Sequence, residues 1–193
     1  MTLVTRSFYA RDTVKVAQDL LGKTLVRDID GILVSGIIVE TEAYRYKDDA
    51  ASHSYGGMTE RNKAMFGQVG RAYVYFTYGM HFCVNAVARS SDYSAGAVLI
   101  RSIIPKLGID FMSKRRKTGE ISNLANGPAK LTQALQITKK EYGEDLTKKS
   151  SLYILDGIKV KNSEIKSGPR IGIKKATNKL WNFKLLKNIF DDA

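Results

Sequence analysis

Two glutamates stand one residue apart in Val39-Glu40-Thr41-Glu42-Ala43-Tyr44, at the end of the apolar run ILVSGIIVETE over 32–42. The Val/Ile alternation reads as a strand. Side chains two apart on a strand share a face, so Glu40 and Glu42 should point the same way. Like charges repel and are costly to bury without partners. An edge strand could leave both in solvent. A strand ending at a cleft could instead deliver a carboxylate as general base. The spacing also suits a paired-carboxylate nucleoside hydrolase, whose two groups must stand at least about 5 Å apart across a sugar.

Three other features carry chemistry. Arg101 interrupts the apolar run AVLIRSIIP and needs an anionic partner if buried; Glu40 and Glu42 are the candidates. The segment Tyr73-Val74-Tyr75-Phe76-Thr77-Tyr78-Gly79-Met80-His81-Phe82 puts Tyr73 and Tyr75 on one strand face. Its Tyr78-Gly79-Met80 reads as a tight turn with a tyrosine and a methionine at the tip. Such aromatics suit cross-strand packing or, in a basic protein, stacking on nucleic-acid bases. His53 stands alone in a polar stretch, where a hydrogen-bonded structural role and a site role both fit.

The elements that must position these groups can be read in outline. Residues 12–21 form a short helix with Asp12 as N-cap and Gly22 as its stop. Strands follow at 24–29 and 32–42, joined by a hairpin at Asp30-Gly31. Residues 43–70 are irregular, and long irregular segments commonly carry function. Strands resume at 72–76, 82–88 and 97–104. Pro105 is expected to start a helix reaching about 115, followed by an exposed basic loop over 116–125. Pro128 opens another helix. A second hairpin at Asp156-Gly157 should join strands at 152–155 and 158–161, and a last strand falls at 170–173. The expected fold is α+β: one domain over 1–193 with a curved, mostly antiparallel β-sheet flanked by short helices.

Composition narrows the function classes. The 193 residues include one cysteine, Cys83, and two histidines, so neither an internal disulfide nor a Cys/His zinc cage is expected. No apolar stretch is long enough for a membrane span, and the N-terminus lacks an apolar leader. The expected location is intracellular. The net charge is +12, with residues 1–100 contributing +1 and residues 101–193 contributing +11. That asymmetry suits a polyanionic partner, and equally a solvated lysine-rich surface.

Taken together, VETEAY, AASHSYGG, YVYFTYGMHFCVN, VLIRSIIP, NGPAKLTQAL and PRIGI resemble the alkyladenine (3-methyladenine) DNA glycosylase family, in order, from about residue 8 to 173. The resemblance implies a monomeric base-excision repair enzyme acting on double-stranded DNA, without metal or other cofactor and placed with the genomic DNA. It implies substrates among alkylated and deaminated purines: 3-methyladenine, 7-methylguanine, hypoxanthine and ethenoadenine. Glu42 would activate the attacking water, with Arg101 beside it and a backbone carbonyl near Ile171 also holding it. Tyr44, His53 and Tyr75 would enclose a flipped base, and Asn85 would exclude the 2-amino group of guanine. Tyr78 would fill the gap left in the duplex, helped by Met80, with Arg61 and Lys130 as further DNA contacts. His81 stands where the family pattern has tyrosine, and KKATNKLWNFKL over 174–185 matches the pattern in little beyond its charge and tryptophan.

Overall fold

Asp12 caps the first substantial helix: its carboxylate accepts from the backbone N–H groups of Val14 and Lys15 at 2.9 and 3.1 Å, satisfying two donors the helix cannot pair itself. A computed structural model describes residues 1–186. A one-turn helix α1 (Arg6–Tyr9) precedes α2 (Thr13–Asp19), which buries Val16 and Ala17 and leads into buried Leu20 and Leu21.

Strand β1 (Thr24–Ile29) then pairs with β2 (Ile32–Arg45) through a two-residue turn in which Asp30 and Gly31 both have positive φ, the geometry that matches strand twist. β3 (Ala72–Thr77), β4 (His81–Val87) and β5 (Gly96–Leu107) follow, with the one-turn helix α3 (Lys63–Phe66) in the intervening irregular segment. Helices α4 (Ile109–Arg116) and α5 (Pro128–Ala134) lead to β6 (Leu152–Leu155), β7 (Ile165–Gly168) and β8 (Asn182–Leu185). The strands form one curled sheet in the order β3-β4-β5-β2-β1-β6, every pairing antiparallel. β8 pairs with β2 just beyond the end of β1 and carries β7 on its other side. Among the described residues no helix is long and apolar enough to cross a membrane.

The centre of the sheet contains two offsetting bulges. β2 pairs Ile38 with Ile103 and Glu40 with Ser102, passing over Val39; β5 then passes over Arg101 to pair Ile100 with Thr41. Before the bulge the even residues Val34 and Ile38 face the main core; after it the odd residues Thr41 and Ala43 do. A regular strand would have carried Glu40 and Glu42 into that core. The bulge turns them to the opposite face.

Four expectations need correction. Pro105 starts no helix: it pairs with Gly36 inside β5, at an irregularity where a missing N–H is tolerated, and α4 begins at Ile109 after Gly108, whose φ is +74°. Residues 158–161 are not a strand. Gly157 crosses against Gly22, where a Cβ would lie 1.9 Å from the Gly22 carbonyl oxygen, and the Ile158 N–H bonds to that carbonyl. Residues 170–173 are not a strand, and Ile171 and Gly172 form a turn; the last strand pair among the described residues is β7–β8. Within 116–125, Leu124 and Ala125 are buried, and the Ala125 carbonyl accepts from Ile103.

Candidate active site

The register of the sheet lines up Tyr73, Asn85, Leu99, Glu42 and Asn182 as a row across five strands. Cross-strand partners project to one face, so this row forms a floor on the side away from the main core. Above it opens a cleft of about 690 Å³ whose lining includes Tyr44, His53, Tyr73, Tyr75, Asn85 and Arg101, together with the exposed Tyr78 and with Lys174 and Lys175.

Glu42 lies fully buried beneath this cleft. Its Oε1 accepts from the Ile171 N–H at 2.7 Å and from Asn182 Nδ2 at 3.0 Å. Its Oε2 accepts from the Tyr44 hydroxyl at 2.8 Å and from Arg101 Nη1 at 3.3 Å. Glu40 accepts from Arg101 Nε at 2.9 Å and Asn182 Nδ2 at 2.8 Å, with Lys184 Nζ at 3.3 Å. Two cations therefore face two carboxylates, which is how the chain tolerates both acids near its centre. Burial works against the Arg101 charge, but Glu42 and Glu40 outweigh it and hold the guanidinium above its ordinary pKa. Burial, and then the charge and hydrogen bond of Glu42, push the Tyr44 phenol up, so it stays a donor.

The wall opposite is aromatic. Tyr73 and Tyr75 lie 5.4 Å apart by ring centroids, and His53 meets the Tyr75 ring edge-on at 4.6 Å. His53 Nδ1 shares a hydrogen bond of 2.9 Å with the Tyr73 hydroxyl, and the Asn62 amide holds the His53 carbonyl at 2.8 Å. Desolvation, and then the positive charge of Arg61, hold the His53 imidazole below its usual pKa. Burial raises the pKa values of the Tyr73 and Tyr75 phenols. Asn85 spends its amide N–H on the Tyr73 carbonyl at 2.9 Å. At the β3–β4 turn, Tyr78 has φ +50° and is 84% exposed, and Met80 is 70% exposed.

The structure brings Glu42, Arg101, Tyr44, His53, Tyr75, Asn85, Tyr78 and Ile171 to this one cleft or directly beneath it. Arg61 joins them from the side, its guanidinium 5.5 Å from the Tyr75 ring centroid. Met80 and His81 line a separate, smaller groove beside α5. The Lys130 ammonium is engaged by the side chains of Asn123 and Asn126. Ile171 touches Glu42 through its N–H rather than its carbonyl.

Sequence reasoning missed two supports. Asn182 lies in the segment least like the family pattern. Arg170, within PRIGI, forms a bidentate ion pair with Asp49 at 2.5 and 2.6 Å, both side chains fully buried, and its guanidinium lies 4.7 Å from the Tyr44 ring centroid. A buried charge anchoring a turn has no local periodicity to betray it. The Asp48-Asp49 pair within the irregular segment was the available hint. Among the described residues no cluster of His, Cys, Asp or Glu could hold a metal ion.

Residues 7–189 match the family model for methylpurine-DNA glycosylase. The chain belongs to this family. It is a DNA glycosylase, an enzyme of DNA repair. A protein of Carboxydothermus hydrogenoformans with the name "Putative 3-methyladenine DNA glycosylase" is 48% identical over 96% of both chains. Proteins of the same name from Prosthecochloris aestuarii and Clostridium acetobutylicum are 46% and 44% identical, over 94% and 95% of this chain and 86% and 94% of their own.

Proposed function

We propose that this glycosylase takes alkylated or deaminated purines, among them 3-methyladenine, 7-methylguanine, hypoxanthine and ethenoadenine, out of duplex DNA as a monomer and hydrolyses their N-glycosidic bond. The observation that carries the reading is the Glu42–Arg101 pair beneath an aromatic cleft whose lining includes an exposed tyrosine. A duplex hides the glycosidic bond, so the nucleotide must leave the stack at a cost of a few kcal/mol. Tyr78 enters the gap. The purine enters among Tyr44, His53 and Tyr75, whose electron-rich rings attract a cationic alkylpurine. Asn85 stands where a guanine 2-amino group would need room.

A water joins Glu42 and Arg101 beneath the sugar, with a backbone carbonyl near Ile171 also holding it. Glu42 takes its proton as the oxygen bonds to C1′. The glycosidic bond breaks, its electron pair leaves with the purine, and an abasic site remains. The carboxylate also stabilises the positive charge that develops on the sugar. Neutral purines are poorer leaving groups and need protonation or hydrogen bonding at the base. Arg61, Lys130, Lys174 and Lys175 supply positive charge toward the phosphates.

A paired-carboxylate nucleoside hydrolase is less well supported. Glu40 is held by Arg101, Asn182 and Lys184, and of these only Arg101 lines the cleft. Release of free base from duplexes containing 7-methylguanine or hypoxanthine tests the proposal. Glu42→Gln should lower single-turnover excision by about 10²-fold or more while lesion binding survives. A near wild-type rate in Glu42→Gln, with loss in Glu40→Gln, would move the role to Glu40. Equal activity on free nucleosides would favour the hydrolase.

A further inference from the structure

We infer that Asn182 is a positioning residue for the reaction, a neutral amide that binds both glutamates from behind and holds the Glu42 carboxylate turned toward Arg101. The inference rests on the proposed role of Glu42 as general base.

Asn182 stands opposite Glu42 in the β2–β8 register. Its side chain is buried, and its Nδ2 lies 2.8 Å from Glu40 Oε1 and 3.0 Å from Glu42 Oε1. An amide nitrogen carries two protons, one for each of these acceptors. Only the NH2 end of the side chain can face two carboxylates, so the orientation of the amide is fixed by its neighbours.

Three of the partners of Glu42 line the cleft: Tyr44 and Arg101 on Oε2, and Ile171 on Oε1. Asn182, on Oε1, does not line it. Arg101 approaches from the cleft side and Asn182 from behind, and each also bonds to Glu40 Oε1. The four side chains close a ring: Glu42 to Arg101 to Glu40 to Asn182 and back to Glu42.

Within that ring, Arg101 neutralises charge, while Asn182 adds none. Its contribution is direction. Without it, Glu42 Oε1 keeps only the Ile171 N–H, which comes from a turn rather than a strand. The carboxylate is then free to rotate away from Arg101. β8 is suited to hold the amide in place because it is paired on both edges, to β2 and to β7.

The test compares Asn182→Ala, Asn182→Ser and Asn182→Asp, each alone and combined with Glu42→Gln. Single-turnover excision of hypoxanthine, lesion-duplex affinity and thermal unfolding are measured for every variant. Asn182→Ala should slow excision by roughly 10-fold or more, the scale of one hydrogen bond to a charged group, without weakening lesion binding. Asn182→Asp should be slower still, although it keeps the shape, because it replaces a donor with a third carboxylate. A residue needed only for packing would give the opposite order. Neither change should alter the residual rate of Glu42→Gln, because Asn182 acts through Glu42. Should Asn182→Ala fail to fold, Asn182→Ser and Asn182→Asp carry the same comparison.

A folded variant lacking the amide that excises at the wild-type rate overturns the inference, as does an equal loss in the Glu42→Gln background. If Glu42→Gln itself excises normally, the inference and the proposed role of Glu42 fall together. If Glu42→Gln is inactive and the Asn182 variants are not impaired, only the inference falls.

Discussion

The Tyr44 hydroxyl donates to Glu42 Oε2 at 2.8 Å, so a residue proposed to pack against the base also occupies one oxygen of the acid. With Arg101, Ile171 and Asn182, four donors already meet the two oxygens of Glu42. A carboxylate accepts about four hydrogen bonds. The proposed attacking water therefore needs one of these donors to move, and Tyr44 lines the cleft that the purine is proposed to enter.

Tyr44→Phe keeps the ring and frees that oxygen. Lesion-duplex affinity should stay close to wild type, while the single-turnover rate stays level or rises. Tyr44→Ala should lose both affinity and rate. Stopped-flow excision with matched binding curves checks this. A large rate loss in Tyr44→Phe with intact binding would mean that the hydroxyl stays on Glu42 throughout the reaction.

Asn85→Ser should raise the release of undamaged guanine relative to hypoxanthine, because it shortens the side chain proposed to meet the 2-amino position. Free guanine liberated from unmodified duplex is the measurement. An unchanged ratio in a folded, active variant would assign guanine rejection to another group.

Tyr78→Ala should weaken the flipped state by about 1–3 kcal/mol, the value of one base–aromatic stack, or roughly 5- to 150-fold. The loss should be greatest for hypoxanthine paired with thymine and smallest in single-stranded DNA, where flipping is already cheap. Tyr75→Ala should be impaired in every context. Equal defects of Tyr78→Ala in all contexts would shift the wedge role to Met80 or His81.

Asp49→Asn should leave the Arg170 guanidinium buried without its counter-ion. Breaking a fully buried pair in this way costs about 3–5 kcal/mol, which for a chain of this size lowers Tm by roughly 10 °C or more. Because residue 171 follows directly, excision should fall beyond what unfolding explains. Calorimetry and excision well below the new Tm separate the two effects.

Much of the site was legible because its residues are clustered on strands with strong local signals. Glu42 and Tyr44, Tyr75 and Tyr78, and Arg101 each sit in a β-rich run whose elements could be read directly. The Asp30-Gly31 turn and the Asp12 cap were legible for the same reason, since each is set by a few adjacent residues. β7 and β8 were not. They are four residues each, carry lysines, serine and asparagine, and are joined by a long irregular connection. Their pairing is decided by the free edge of β2 beyond β1, a tertiary opportunity with no local trace. Pro105 misled because proline commonly opens a helix, whereas here a bulge in β5 accommodates it. Asn182 was out of reach because its importance depends on which strand it joins.

The offsetting bulges also constrain how the protein can change length. Loss of Val39 alone would make β2 regular but leave the bulge in β5 uncompensated, slipping the pairing beyond it by one residue. The matching deletion in β5 would have to remove the extra residue there, which is Arg101. The insertion that sets the strand geometry is thus the same residue that supplies the guanidinium beside Glu42. Descendants of this chain can gain or lose residues in its loops, but the β2–β5 pair cannot be trimmed back to a regular ladder without giving up its chemistry.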